Sequence, residues 1–173
     1  MIIGIDAREI ENGVVTGIGH ALQVFLSRFT DTAPGYRCIL FSTTSLEMPF
    51  EGRLENVVYP EKNTFLWDQY VLPKLIRKHG VDVFYSPYYK IPLQGRCRKV
   101  STIMDLMYIF FAPYYRQMPL LKRFYYTTCG QLYAHRADMI VCSSEYSKRE
   151  IEKFYRVPPE KIAVIYLGLS DAY

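Results

Sequence analysis

The sequence has no apolar run approaching the roughly 20 residues that a membrane-spanning helix needs. Its N-terminus, Met1-Ile2-Ile3-Gly4-Ile5-Asp6, has no basic leader and no cleavage site, so the expectation is a cytoplasmic protein without a signal peptide. Cys-x-x-Cys spacing is absent: Cys38, Cys97, Cys129 and Cys142 lie singly in or beside apolar segments, with no His at ligand spacing. That pattern argues against a metal site and for buried, reduced thiols. No Gly-Lys-Ser/Thr occurs, which removes a Walker phosphate loop. The step Gly17-Ile18-Gly19 lacks the third glycine of a dinucleotide fingerprint, ten residues separate it from Asp6, and no acidic residue closes the second predicted strand. NAD binding and ATP hydrolysis both lose support. His20, His79 and His135 stand outside any triad-like context, so hydrolase-type nucleophilic catalysis has no constellation either.

What is present describes a packed domain. The 173 residues are half hydrophobic and 22% charged, which excludes disorder, and a chain of this size buries roughly two-thirds of its unfolded surface. Aromatics are abundant, mostly Tyr (16) and Phe (10). The net charge of +4 is modest and spread along the chain, so nucleic-acid binding is not indicated.

Short β-branched runs alternate with stretches of helical period. Met1 to Ile5 reads as a strand, and Ile18, Leu22, Phe25, Leu26 and Phe29 fall on one face of a helix stopped by Pro34-Gly35. Strands are predicted over Tyr36 to Ser42 and Leu54 to Tyr59. A helix over Phe65 to Lys78 is expected to break at Pro73, which would open a second short helix. Further strands are predicted at Val81 to Ser86, Lys99 to Met104, Asp138 to Cys142 and Ile162 to Leu167. Between them lie a long helix over Leu120 to Arg136, with Leu121, Phe124, Tyr125, Thr128 and Leu132 near one face, and a helix to Tyr155 capped by Ser143 or Ser144. This alternation predicts an α/β fold, a doubly wound, mostly parallel Rossmann-like sheet in a single domain over residues 1–173.

In such sheets ligands bind beyond the carboxyl ends of the strands. The residues there are Asp6-Ala7-Arg8, Thr16 to Gly19, Ser86-Pro87-Tyr88-Tyr89, Asp105 and Ser143-Ser144. Glycines at Gly17 and Gly19 either let backbone amides approach a phosphate or polyhydroxy ligand, or serve only the helix-opening turn. Asp105 either accepts hydrogen bonds from substrate hydroxyls or acts as a turn or helix cap. His20 lies beside the glycine turn; His79 and His135 sit at helix ends, where the dipole accounts for them. The segment Tyr114 to Tyr126 interleaves basic and aromatic residues. It suits peripheral contact with an anionic membrane, or a helix whose aromatic stripe packs while its Lys and Arg are solvated.

In order and spacing, several pieces resemble the N-terminal domain of a GT-B, retaining family 4 glycosyltransferase. They are Ile5 to Arg8, Thr16 to Gly19, Trp67-Asp68-Gln69 with Leu72-Pro73, Asp82 to Tyr89, Thr102 to Leu106, Ala137 to Ile140, Ser143 to Ile151, Val157 to Ile162 and Ile165 to Gly168. The resemblance implies an acceptor-binding domain of an enzyme that transfers a sugar from a nucleotide-sugar donor to a sugar, polysaccharide or lipid-linked acceptor. It implies no metal and no cofactor beyond that co-substrate, and a C-terminal donor-binding domain that is not in this chain, which alone is then inactive. Gly17 and Gly19 would lie near the donor diphosphate, and Ser86, Tyr88, Asp105, Ser144 and Lys148 would line the acceptor side. Alanine at either glycine would then cut transfer without unfolding the domain. The family often places His directly before the strand-end Asp, and this chain has Met104 there. A thioether neither shuttles protons nor donates a hydrogen bond, so no catalytic residue is assigned. The alternative is a non-catalytic carbohydrate-binding or scaffolding module on the same fold.

Overall fold

The computed structural model describes residues 1–13, 16–32, 35–46, 54–110 and 112–167. Among the described residues seven strands form one sheet: β1 Ile2–Asp6, β2 Arg37–Ser42, β3 Leu54–Val58, β4 Val83–Ser86, β5 Arg98–Thr102, β6 Met139–Cys142 and β7 Ile162–Val164. Their order is β3-β2-β1-β4-β5-β6-β7, and every pairing is parallel. The α/β, Rossmann-like reading holds, with a sheet that is parallel throughout.

Strand alternation divides the core. Ile5, Cys38 and Leu40 turn to one face and meet Leu22 and Leu26 of α1 (Gly17–Thr32). Ile39, Phe41, Phe84 and Ile140 turn to the other, where α3 (Leu72–Lys78), α7 (Gly130–Arg136) and α8 (Glu145–Tyr155) pack. Half-buried Ile3, Val83, Tyr85, Val100 and Val141 share the α1 side and line, with α1, an open cleft of about 480 Å³.

Several elements differ from the sequence reading. The helix near Pro73 does not break. After α2 (Thr64–Leu66) the chain widens into a π turn over Trp67–Val71, in which Leu72 N–H donates to the Trp67 carbonyl five residues back. Pro73 then falls at the start of α3. A proline ring clashes with the carbonyl four residues earlier, and the wider turn relieves that contact without ending the helix. The long helix is likewise α6 (Leu120–Phe124), a π turn over Tyr125–Cys129, and α7. Its packed face is Tyr126, Tyr133 and Ala134, whereas Leu121, Phe124, Thr128 and Leu132 face outward.

A Cβ on Gly130 would lie 2.3 Å from the Tyr155 hydroxyl, so glycine there admits that ring. Buried Tyr155 donates to the Tyr126 carbonyl at 3.0 Å and lies 3.2 Å from the Tyr108 hydroxyl. The last strand stops at Val164, and Ile165 to Leu167 are exposed. A 3-10 turn over Arg8–Gly13 and helices α4 (Met107–Phe110) and α5 (Ala112–Gln117) carried no sequence signal strong enough to predict. The four cysteines are free; Cys38 and Cys142 are buried, while Cys97 and Cys129 are only half-buried. Pro34 and Gly168 lie outside the described residues.

Candidate functional site

The strand order reverses between β1 and β4, which opens a crevice beyond their carboxyl ends. Asp6 closes β1 and is only 6% exposed. Arg8 turns back over it, donating from Nε to Asp6 Oδ1 at 2.9 Å and from Nη2 to Asp6 Oδ2 at 2.6 Å. The same Nη2 reaches Asp68 Oδ1, also at 2.6 Å, on the first π turn. Asp68 is 3% exposed, and the guanidinium lies 5.2 Å from the ring centre of fully buried Trp67. Burial pushes the Asp68 carboxyl above its ordinary range, against the opposing pull of Arg8 and Lys90. For Arg8 burial works against the charge, but the two carboxylates outweigh it and hold the group firmly protonated.

Beside this network stands a wall of tyrosines. Tyr88 and Tyr89 follow β4 with ring centres 4.3 Å apart. Tyr108 and Tyr126 pair at 4.5 Å, and Tyr89 lies 6.1 Å from both Tyr126 and Tyr133. The Lys90 ammonium lies 5.9, 5.8 and 5.5 Å from the rings of Tyr88, Tyr89 and Tyr125, within cation–π range. Burial raises the pKa of Tyr88, Tyr89, Tyr108, Tyr125 and Tyr133, so these phenols stay neutral hydrogen-bond donors. Tyr155 behind them is pushed up to about 12 by the same cause. Gln69, next to Asp68, fixes the following loop: its Nε2 donates to the Ile91 carbonyl at 3.2 Å and its Oε1 accepts from Leu93 N–H at 3.0 Å. Aromatic faces with hydroxyls and one ammonium at their rim suit a polyhydroxy ring.

The residues singled out from sequence fall into two groups on this edge. Half-buried Tyr88 belongs to the tyrosine wall, and buried Ser86 accepts from Tyr88 N–H at 3.3 Å, shaping the turn that presents it. Asp105 is exposed and its Oδ1 accepts from Met107 N–H at 3.0 Å, which is the capping geometry, at the start of α4. On the other side, Gly17, His20 and Met104 line the 480 Å³ cleft with Tyr85, Pro87 and Thr102. Ser144 caps α8, accepting from Ser147 N–H at 3.0 Å, and Ser147 Oγ donates to the Met104 carbonyl at 2.6 Å. Lys148 is half-buried on the first turn of that helix.

The two glycines differ. A Cβ on exposed Gly17 meets nothing within 4 Å, but one on Gly19 would lie 2.2 Å from the Glu9 carbonyl. Gly19 thus admits the 3-10 turn, which Thr16 also ties down by donating to Glu9 Oε2 at 3.0 Å. Of the histidines at helix ends, His135 donates to the Tyr155 carbonyl at 2.7 Å, and His79 lies 3.8 Å from Glu55. Arg8, Asp68, Lys90 and the distal tyrosines were not chosen from sequence as site residues. The signal was there in part, since Asp6-Ala7-Arg8 is one of the strand-end segments and Trp67-Asp68-Gln69 belongs to the family resemblance, but their contact spans 60 residues.

The profile of Glycosyltransferase Family 4 matches residues 18–173. The chain belongs to that family. No curated protein matches this family 4 chain by sequence. Among solved structures it is similar to WaaG, a glycosyltransferase involved in lipopolysaccharide biosynthesis, with TM-score 0.64 and 14% identity over 99% of this chain and 46% of that one. It is also similar to Anabaena HepE in complex with UDP-glucose, with TM-score 0.62 and 15% identity over 98% and 44%. A third is the wall teichoic acid polymerase TagF, with TM-score 0.60 and 12% identity over 96% and 38%. At these identities the likeness shows the fold, that of the N-terminal Rossmann-like domain of GT-B glycosyltransferases, and the chain spans less than half the length of each structure.

Alanine at Gly19 is therefore not the fold-neutral change that the glycine turn suggests on sequence grounds. Gly19→Ala should destabilise the domain by about 3 kcal/mol, since backbone must move to admit the methyl, while Gly17→Ala should stay within about 0.5 kcal/mol of the parent in urea denaturation. Arg8→Met strands two buried carboxylates and should cost about 3–5 kcal/mol by the same measurement.

Proposed function

We propose that this family 4 domain is the acceptor side of a retaining glycosyltransferase that moves a sugar from a nucleotide-sugar to a sugar, polysaccharide or lipid-linked acceptor. The tyrosine wall beside the β1–β4 crevice carries the reading: an acceptor ring stacks on half-buried Tyr88 while its hydroxyls meet Lys90 and exposed Asp105, with buried Tyr89 and Tyr133 backing the wall. Asp68 and Asp6 are too buried to touch a ligand, and their part is to hold Arg8 in place. Gly17 opens α1 on the same edge, where the helix dipole favours a diphosphate, although the Gly19 amide is already capped by Thr16 Oγ1 at 2.9 Å. HepE, whose structure holds UDP-glucose, supports a nucleotide-sugar as co-substrate. A donor-binding half would then lie outside this chain, which spans 44% and 46% of the HepE and WaaG structures. The reaction as proposed uses no metal and no cofactor other than that donor, and a cytoplasmic location goes with it.

One observation favours a second reading. Met104 lines the cleft at the position where the family often carries histidine, as expected of a carbohydrate-binding module that has lost transfer.

Titration of the chain with methyl glycosides and short oligosaccharides, followed through the tyrosine ring resonances by NMR, tests the acceptor site. Saturable shifts are expected, weakened about three- to tenfold by Tyr88→Ala, the worth of one stacking contact. Binding that ignores Tyr88→Ala would place the acceptor elsewhere. Sugar binding by a protein that also carries the donor half, with no transfer from any nucleotide-sugar, would establish the module instead.

A further inference from the structure

Another cavity opens on the edge of the sheet opposite the crevice, where β4 and β5 begin. It holds about 700 Å³ between α3 and the loop that leads into β5, an ordinary size for a small-molecule site. Buried Ile76 and Val81 with half-buried Cys97 form its inner wall, and exposed Arg77, Gln94 and Arg96 stand at its mouth. Neither guanidinium has a hydrogen-bond or ion-pair partner among the described residues.

The charge around it is one-sided. Among the described residues no Asp or Glu lines the cavity. Asp82 and Asp138, which precede β4 and β6 on the same edge, are already engaged with backbone: Asp82 accepts from Ile2 N–H at 2.7 Å and Asp138 from Lys99 N–H at 2.8 Å. Lys99 is only 7% exposed, and its ammonium donates to the Gly95 carbonyl at 3.2 Å, which holds the loop against the sheet. A guanidinium forks onto phosphate oxygens and stacks on flat rings. Two of them over an apolar wall therefore suit a phosphate ester whose body is a flat ring, and the Gln94 amide can both donate to and accept from that ring's edge.

We propose that this cavity is an effector site for a small phosphate ester with a flat apolar body, the chemistry shared by nucleoside monophosphates and aryl phosphates. The ring lies on Ile76 and Val81, and the phosphate sits between Arg77 and Arg96. Both walls of the cavity run directly into the crevice. α3 continues from the π turn that carries Asp68 and Gln69, and the loop continues from Tyr88 and Tyr89. Gln69 already ties these two segments together through Ile91 and Leu93, so a ligand that draws α3 and the loop together at their far ends bears on the tyrosine wall. The four residues of β4 set the two edges about 13 Å apart, so the ligand acts without touching the tyrosines. The inference goes beyond the proposed transfer reaction and does not rest on it.

Calorimetric titration of the chain with adenosine monophosphate and with phenyl phosphate is the test, with adenosine and inorganic phosphate as controls. Saturable binding of both esters is expected, at least about tenfold tighter than either control, since one control lacks the charge and the other the ring. Arg77→Ala and Arg96→Ala should each weaken it about tenfold, the worth of one hydrogen bond to a charged group. Arg98→Ala, exposed on the same edge but outside the cavity, should leave it within about twofold. All three side chains are exposed, so the circular dichroism spectrum should not change; if the variant on α3 fails to fold, Arg96→Ala on the loop decides. The ring resonances of Tyr88 and Tyr89 should shift as the site saturates, and Arg96→Ala should move that shift to correspondingly higher ligand concentration. Binding no tighter than that of inorganic phosphate, equal losses from all three substitutions, or binding that leaves the tyrosine resonances in place overturns the proposal.

Discussion

Arg8 is clamped between two buried carboxylates, and the geometry of the strand-end crevice follows from that clamp. Burying a carboxylate is costly unless it is paired and hydrogen-bonded, and Asp6 and Asp68 are both nearly inaccessible. One guanidinium answers both, bidentate on Asp6 and single on Asp68, with its central carbon over the Trp67 ring. Lys90, on the tyrosine side, adds a second positive charge that favours the ionised Asp68 carboxyl against its burial. Because Asp6 ends β1, an interior strand, and Asp68 sits on the first π turn, the clamp sets where that helix stands relative to the sheet.

Both π turns serve the same place. The first carries Asp68 and Gln69, which hold Arg8 and the loop after the tyrosines; the second carries Tyr125 and Tyr126, which complete the wall. A π turn rotates the residues after it relative to an ideal helix, and such turns are frequent at functional sites. In the first, the proline that ought to break the helix is accommodated instead. In the second, Gly130 lets Tyr155 close in behind, and Tyr155 in turn braces Tyr126 and Tyr108 by hydrogen bonds.

The strands were legible because each is a short apolar run closed by a polar residue or a turn, and a parallel sheet buried on both faces demands that pattern. Boundaries moved by a residue or two, as at Val81 to Ser86 against β4. Only the last strand shrank further, since Ile165 to Leu167 have exposed side chains. The helical stripe of Leu22 and Leu26 was equally readable. The outer stripe of Leu121 and Phe124 has the same period and ends in solvent, because period alone reports that a face is apolar and not what covers it.

The candidate site divides along the same line. Local order along the chain was enough for the α/β class, the carboxyl-edge position of the site, the cap at Ser144, and the two glycines with Tyr88 and Asp105 as neighbours of the strand ends. These are properties of adjacent residues. Tertiary structure alone decided that Gly19 is a packing requirement against Glu9, that Asp105 caps α4, and that Arg8, Asp68 and Lys90 meet beside five or more tyrosines drawn from three separate segments. Those contacts join residues tens of positions apart, and their partners are selected by the crossover of parallel strands, which no local pattern encodes.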